Sequence, residues 1–321
     1  MGKSVARSVL FLAILIFLFA IISRALLFIS KNNEDLLQSR NKSIVGIQKE
    51  PENTIDVLVV GDSLSYTSVS PMRLWQEQGI TSYICGQNGQ IIQETYNIVD
   101  TALKNQKPRV LLIETNVFFR KQTGYKGAKR VVTEKANQIF PMFRFHDVWK
   151  PLLMGMRYAE ESYKGFMVRN TVVPYKGGEY MHQTEEKMDM DPLVKEYMDK
   201  IIKLCDKKDV KIVLVSSPSP LNYNYVKHNT IKQYAEEKSL KFLDLNLVIS
   251  EIGIDWNRDS LDNGDHLNIA GGHKVTTYVG NYLSEKFDIP DHRDEEDFSS
   301  WNDYACLYED RVKEKLDVIN K

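Results

Sequence analysis

The sequence predicts an α/β fold: a three-layer α/β/α sandwich around a mostly parallel sheet, preceded by one transmembrane helix. Three observations carry this expectation. From Thr54 onward, short runs rich in β-branched residues alternate with stretches of helical periodicity, the pattern of successive βα units. The first of these runs, residues 55–60 (IDVLVV), has the pattern of a buried strand, as strands inside a covered parallel sheet do. Ahead of them stands one long uncharged run near the N-terminus.

That run comes first. Residues 8–23 (SVLFLAILIFLFAIIS) carry no charge, and residues 25–30 (ALLFIS) continue the apolar stretch beyond a single Arg24. A spanning helix takes about 20 mostly apolar residues. Residues 8–30 supply them if Arg24 snorkels its guanidinium to the headgroups. Lys3 and Arg7 precede the run, so the positive-inside rule puts the N-terminus in the cytoplasm and the remaining chain outside. A cleaved signal peptide has a shorter apolar core and small residues at its cleavage site. Bulky Leu26, Leu27, Phe28 and Ile29 occupy that place here, so residues 1–30 are expected to be a cytoplasmic end and an uncleaved anchor. Residues 31–54 are polar and read as a stalk or linker. Nothing later is apolar enough to span.

The outer part spans residues 55–290. Residues 55–60 (IDVLVV) form the first strand candidate and end in Gly61. Residues 71–78 are a short helix candidate closed by Gly79, 82–85 a second strand, and 91–104 a helix. Residues 109–114 (RVLLIE) are a third strand after Pro108. Residues 192–207 read as an amphipathic helix with Pro192 near its start. Residues 211–215 (KIVLV) are a fourth strand, 229–237 helical, 241–245 (KFLDL) a fifth strand and 269–283 a final helix. Residues 117–191 break this rhythm. They hold many aromatics, among them Phe118, Tyr125, Phe140, Phe143, Phe145, Trp149 and Phe166, with no clear strand. They read as an insertion over the strand ends, where α/β folds place ligands. Residues 291–321 form a charged tail, with Trp301, Tyr304 and Leu307 as candidates to dock it.

Composition narrows the function classes. The 321 residues carry 42 Lys+Arg against 43 Asp+Glu, a net charge of −1, without the basic excess that nucleic-acid partners select. Three scattered cysteines, Cys85, Cys205 and Cys306, have neither disulfide-scaffold nor metal-ligand spacing. No metal or cofactor is expected.

Four short blocks carry chemistry. Gly61-Asp62-Ser63-Leu64 follows the first strand directly, a strand–turn context that presents a serine hydroxyl at the top of a sheet. The plainer reading is a Ser/Asp turn. Gly86-Gln87-Asn88-Gly89-Gln90 follows the second strand, where a glycine lets a backbone N–H approach an oxyanion. Glu114-Thr115-Asn116 ends the third, and an asparagine amide there is either a second oxyanion donor or a cap. Near the C-terminus stands Asp262-Asn263-Gly264-Asp265-His266-Leu267-Asn268. A serine hydroxyl needs a base to take its proton, and the base needs an orienting group. His266 and a nearby aspartate provide both. Adjacent side chains in extended chain point apart, which favours Asp262 slightly over Asp265 as the orienter.

In this combination the chain resembles the SGNH/GDSL hydrolase superfamily, through Ser63 in GDSL, Gly89 in GQNGQ, Asn116 in ETN and His266 in DHLN. The match covers about residues 55–283. The resemblance implies an SGNH/flavodoxin-like sheet, Ser63 as nucleophile, His266 as base, Asp262 or Asp265 as orienter, and Gly89 and Asn116 in the oxyanion hole. Two blocks depart from the family. The third is ETN where GxND is usual, and Asn263 occupies the aspartate slot of DxxH. With its anchor, the chain looks like membrane-anchored, outward-facing members, of the DltD type or the envelope O-acetyltransferase and acetylesterase type. What that resemblance implies is an extracytoplasmic hydrolase or acyltransferase acting on envelope polysaccharide or teichoic acid, beside a membrane-bound O-acyltransferase. The alternative is a catalytically degenerate scaffold or glycan-binding partner on the same fold.

Overall fold

The apolar N-terminal run folds into a single long helix, α1 (Gly2–Asn32), in the computed structural model of the chain, which describes residues 2–120, 124–158 and 162–320. A 3-10 turn and α2 (Ser39–Ile47) follow. The sheet then begins with β1 (Val57–Gly61), α3 (Ser63–Ser68), α4 (Pro71–Gln78), β2 (Ser82–Gly86), α5 (Ile92–Ala102) and β3 (Val110–Glu114). The insertion contributes α6 (Gly124–Ile139), α7 (Met142–Phe145), α8 (Trp149–Met154) and a hairpin of β4 (Ser162–Tyr163) with β5 (Phe166–Met167). The chain resumes with α9 (Pro192–Asp206), β6 (Lys211–Ser216), α10 (Tyr225–Lys238), β7 (Lys241–Asp244), α11 (Ile249–Ile252), α12 (Ile269–Lys286) and α13 (Ser299–Asn320).

The main sheet has the order β2-β1-β3-β6-β7 and all its strands are parallel. Each residue of β1 and of β3 is buried, so both faces are covered and the apolar runs need no alternation. The helices α5 and α9 pack together on one side, against β1 and β6. On the other side α3, α4 and α12 pack together, with α13 against α4. The chain leaves β1 towards β2 and returns to β3 on the opposite side. That reversal opens a crevice beyond the carboxyl ends of β1 and β3, the place where open α/β sheets hold ligands.

Three segments differ from the sequence expectation. Residues 31–54, expected as a stalk, fold onto the body: Leu36, Leu37, Ile44, Val45 and Ile47 are buried, and α2 packs beside β2. Their apolar residues are few, but Ile44 and Ile47 join the main core while Leu36, Leu37 and Val45 join a second buried cluster. The insertion, expected without strands, contains the β4–β5 hairpin, whose turn meets the sheet edge through Ile84 N–H to Lys164 O at 2.9 Å. The tail is a 22-residue helix. Trp301, Ala305, Tyr308 and Val312 form its buried stripe, at the spacing of one helical face. Trp301 stacks near Trp75 at 5.4 Å and Tyr304 packs on Tyr163 at 5.6 Å. Leu307, expected to dock, falls off that stripe and is 63% exposed.

The Tyr308 hydroxyl ties the tail down through Ser70 Oγ at 2.9 Å and His273 Nε2 at 2.7 Å. Burial, with the Arg73 charge adding, lowers the His273 pKa from 6.5 to about 3. The native state therefore binds fewer protons than the unfolded chain between those values. Stability present above the unfolded pKa is lost as pH falls through that window. In denaturant unfolding near pH 7 and at about pH 4.5, the acid-induced loss should be smaller in His273→Gln than in the wild type. Equal losses in the two proteins would remove His273 from the acid response.

Candidate active site

The β1 strand ends in Gly61, and Asp62 caps α3 with its carboxylate, accepting from Leu64 N–H at 3.2 Å. Ser63 is the first residue of that helix. Ser65 N–H is bound to Asp62 O at 3.1 Å. Of the three amides at this helix start, the turn thus engages two and leaves that of Ser63. The serine hydroxyl faces His266, whose Nε2 lies 2.7 Å from Ser63 Oγ.

The other ring nitrogen, Nδ1, lies 2.7 Å from Asp262 Oδ2, and Asp262 Oδ1 accepts the His266 backbone N–H at 2.7 Å. One carboxylate therefore fixes both the ring and the backbone of the same residue. A proton on Nδ1, donated to Asp262, leaves Nε2 as the acceptor for the serine hydroxyl. The ring is 17% exposed and Asp262 42%. The site is open rather than sunk in a closed cavity.

The four-residue spacing from Asp262 to His266 works because the turn is one residue longer than DxxH. Leu261 N–H closes it on His266 O at 2.9 Å, and Ser260 bridges to Leu267. Asn263 and Gly264 both take left-handed φ, +60° and +88°, which asparagine and glycine tolerate best. At Gly264 a β-carbon would lie 2.8 Å from the Tyr175 ring. Asp265 is held elsewhere. Its Oδ1 is 3.6 Å from His266 Nδ1 and accepts from Asn222 Nδ2 at 2.5 Å. Asn222, which was not expected from the sequence, holds Asp265, and Asp262 is the carboxylate nearer to His266 Nδ1.

The insertion braces this loop. Its extended segment 169–175 runs alongside it, with Ile269 N–H to Arg169 O at 2.8 Å, Val173 N–H to Ser260 O at 3.1 Å and Asn263 N–H to Val173 O at 2.9 Å. Three of the insertion aromatics serve the core. Phe118, Phe145 and Phe166 are buried.

The remaining candidates stand in the turns after β2 and β3. Gly89 stands in the turn closed by Gln90 N–H to Gln87 O at 3.0 Å, with φ +63°. Asn116 is buried, and its amide donates to Asp62 Oδ2 at 2.7 Å. The same oxygen accepts from Arg120 Nη2 at 2.5 Å, and Arg120 Nη1 stands 4.0 Å from where a Gly89 β-carbon would be. Asn116 thus ties the turn after β3 to the turn after β1, with a second amide hydrogen remaining. Arg120 escaped the sequence reading; its one signal is the i+4 spacing from Asn116 across a tight turn. Beneath both, Glu114 accepts from Ser217 N–H and Asn116 N–H at 3.1 and 3.3 Å. Burial first, then the nearby Asp62 charge, pushes its pKa up to about 8. Lys227, over the Phe119 ring at 4.7 Å, has its pKa lowered by burial against the pull of Asp62.

Asp262, Asp265 and His266 also lie close enough together to offer ligand atoms to one metal ion. Each has a protein partner instead: Ser63 and Asp262 for the imidazole, Asn222 for Asp265.

No family model matches the chain, and no curated protein matches it. Solved structures align with much of its length. The psychrotrophic esterase EstA from a Pseudoalteromonas species aligns at 12% identity and TM-score 0.38, covering 71% of this chain and 96% of that one. A lipase/acylhydrolase from Enterococcus faecalis aligns at 9% identity and TM-score 0.39, covering 74% and 99%. A GDSL-like lipase from Bacteroides thetaiotaomicron aligns at 12% and 0.35, covering 71% and 87%. At such identities and TM-scores the likeness carries none of the functional reading, which rests on the site's own geometry.

Proposed function

We propose that the chain is a serine-dependent acyl-ester hydrolase or acyltransferase. The observation that carries this is the unbroken line from Ser63 Oγ through the His266 ring to Asp262, with 2.7 Å at each junction. Both distances fall in the range required for proton transfer. Ser63 Oγ attacks the ester carbonyl carbon while its proton passes to His266 Nε2. Asp262 stabilises the imidazolium that forms. The tetrahedral intermediate collapses, His266 returns the proton to the departing alcohol oxygen, and the acyl group stays on Ser63. Water then yields a hydrolase; a sugar hydroxyl yields a transferase. The Ser63 and Gly89 amides, with the remaining Asn116 amide hydrogen, are the donors for the oxyanion. Each such donor is worth about 100- to 1000-fold in rate.

The reading of the substrate is an envelope polysaccharide or teichoic acid, outside the membrane to which α1 anchors the protein. The openness of the site supports a bulky acceptor, since Asp262 and His266 both reach solvent. The anchor reading is supported by α1 being long and apolar enough to cross a membrane. It is supported further by the packing of Leu26, Leu27 and Ile29 against the buried cluster of Leu36, Leu37, Val45, Phe145 and Val148. A membrane-bound O-acyltransferase is the partner that the family resemblance suggests. A degenerate scaffold would draw its support from the irregular third and fourth blocks; the Asn263-Gly264 turn absorbs the irregularity of the fourth.

A fluorophosphonate probe should label the detergent-solubilised wild type and leave Ser63→Ala unlabelled. An unlabelled wild type that turns over no acetyl ester would overturn the enzymatic reading. Replacing the orienting aspartate should separate the two candidates. Asp262→Ala should lower kcat for acetyl-ester hydrolysis by about 100- to 10,000-fold. Asp265→Ala, whose partner is Asn222, should cost less than about tenfold. The reverse ranking would mean that Asp265 orients the imidazole during turnover.

A further inference from the structure

The insertion makes a detour that the active site does not use. From the end of α6 the chain descends along α1. Phe140 and Phe143 meet Phe19 edge-on, with ring centroids 5.5 and 5.6 Å away, and Met142 N–H donates to Ser23 Oγ at 3.3 Å. It then climbs back, Phe145 and Val148 joining the cluster around Leu26 and Ile29. It reaches the top of α1, where Tyr158 N–H binds Asp35 O at 2.7 Å and the Arg157 guanidinium pairs with Asp35. Between those points, α8 and the residues after it show solvent a run of large apolar side chains. Trp149, Leu152, Leu153, Met154 and Met156 are all exposed, Leu153 at 77% and Met154 at 72%. Consecutive exposed apolar residues of this kind mark an interaction surface on a protein that must stay in water.

The depth of the detour says what covers it. If residues 8–30 span the apolar layer, Leu26, which packs against the cluster holding Phe145 and Val148, lies four residues below its outer end. At 1.5 Å per residue that is about 6 Å inside the apolar layer. Amphipathic segments lying in a membrane interface bury their apolar face about 5–10 Å deep. The start of α8, directly after Val148, matches that depth. Lys150, paired with Asp147 at 2.5 Å, and Arg157 stand at either end of the apolar run, where charged side chains reach the headgroups.

We propose that residues 139–156 lie in the outer leaflet of the membrane, with α8 as an interfacial helix beside α1. The occupant of the exposed apolar face is lipid. The inference rests on reading α1 as a membrane anchor, and it adds that the outer domain is held against the bilayer at two places rather than swinging on one tether.

The test uses the full chain in a Cys306→Ser background, since the other two cysteines are buried. Single variants Leu153→Cys, Phe17→Cys and Leu247→Cys carry an environment-sensitive fluorophore in phosphatidylcholine vesicles, with and without nitroxide-bearing lipid. Leu247 follows β7, at the opposite edge of the sheet from α2. The expected result is quenching at Leu153→Cys comparable to that at Phe17→Cys, and none at Leu247→Cys. Quenching at Phe17→Cys alone would overturn the proposal and leave the anchor standing. No quenching at either would overturn both. A blue-shifted but unquenched label at Leu153→Cys would mean that protein, such as a second copy, covers the face, and would also overturn it.

Discussion

The buried carboxylate of Asp62 is the point on which the site depends. It caps α3 through Leu64 N–H, accepts the Asn116 amide and pairs with Arg120. The turns after β1 and β3 meet on one side chain, and Ser63 is its immediate neighbour. A carboxylate with 0% side-chain exposure is tolerable only because charge and hydrogen bonds surround it. Its charge in turn helps hold the nearby Glu114 carboxyl in its neutral form towards higher pH. Ser63 is therefore placed by the hydrogen bonds and charge around its neighbour Asp62 as well as by the turn that carries it.

The insertion connects this site to the rest of the molecule. One of its halves follows α1 down past Phe19 and returns; the other, residues 169–175, is hydrogen-bonded along the loop that carries Asp262 and His266. The same stretch of chain thus meets both α1 and the loop of His266. A loop with two left-handed residues has little regular structure of its own, so its shape depends on such a brace. Tyr175 against Gly264 and the Asn222–Asp265 bond complete it.

Much of this was legible from local pattern. The five strand candidates all appear, because a buried parallel strand needs an unbroken apolar run and this chain has no competing runs of that kind beyond α1. Ser63 and His266 were readable because each sits in a short block whose turn residues are specified by backbone geometry. The 31–54 segment misled because a mostly polar stretch can still bury a few residues when the body closes on it from two sides. Leu307 misled in the opposite direction: hydrophobicity does not say which side of α13 faces the body, whereas the spacing of Trp301, Ala305, Tyr308 and Val312 does.

By itself the sequence determined the parallel sheet, the apolar helix ahead of it and the two chain positions that face each other as serine and histidine, since periodicity and turn chemistry are local properties. Only the tertiary structure decided between Asp262 and Asp265, turned Asn116 towards Asp62, and brought Arg120 and Asn222 to the site. Those outcomes depend on hydrogen bonds between residues some 40 to more than 50 positions apart, and no periodicity within a single segment records which distant partner a side chain will find.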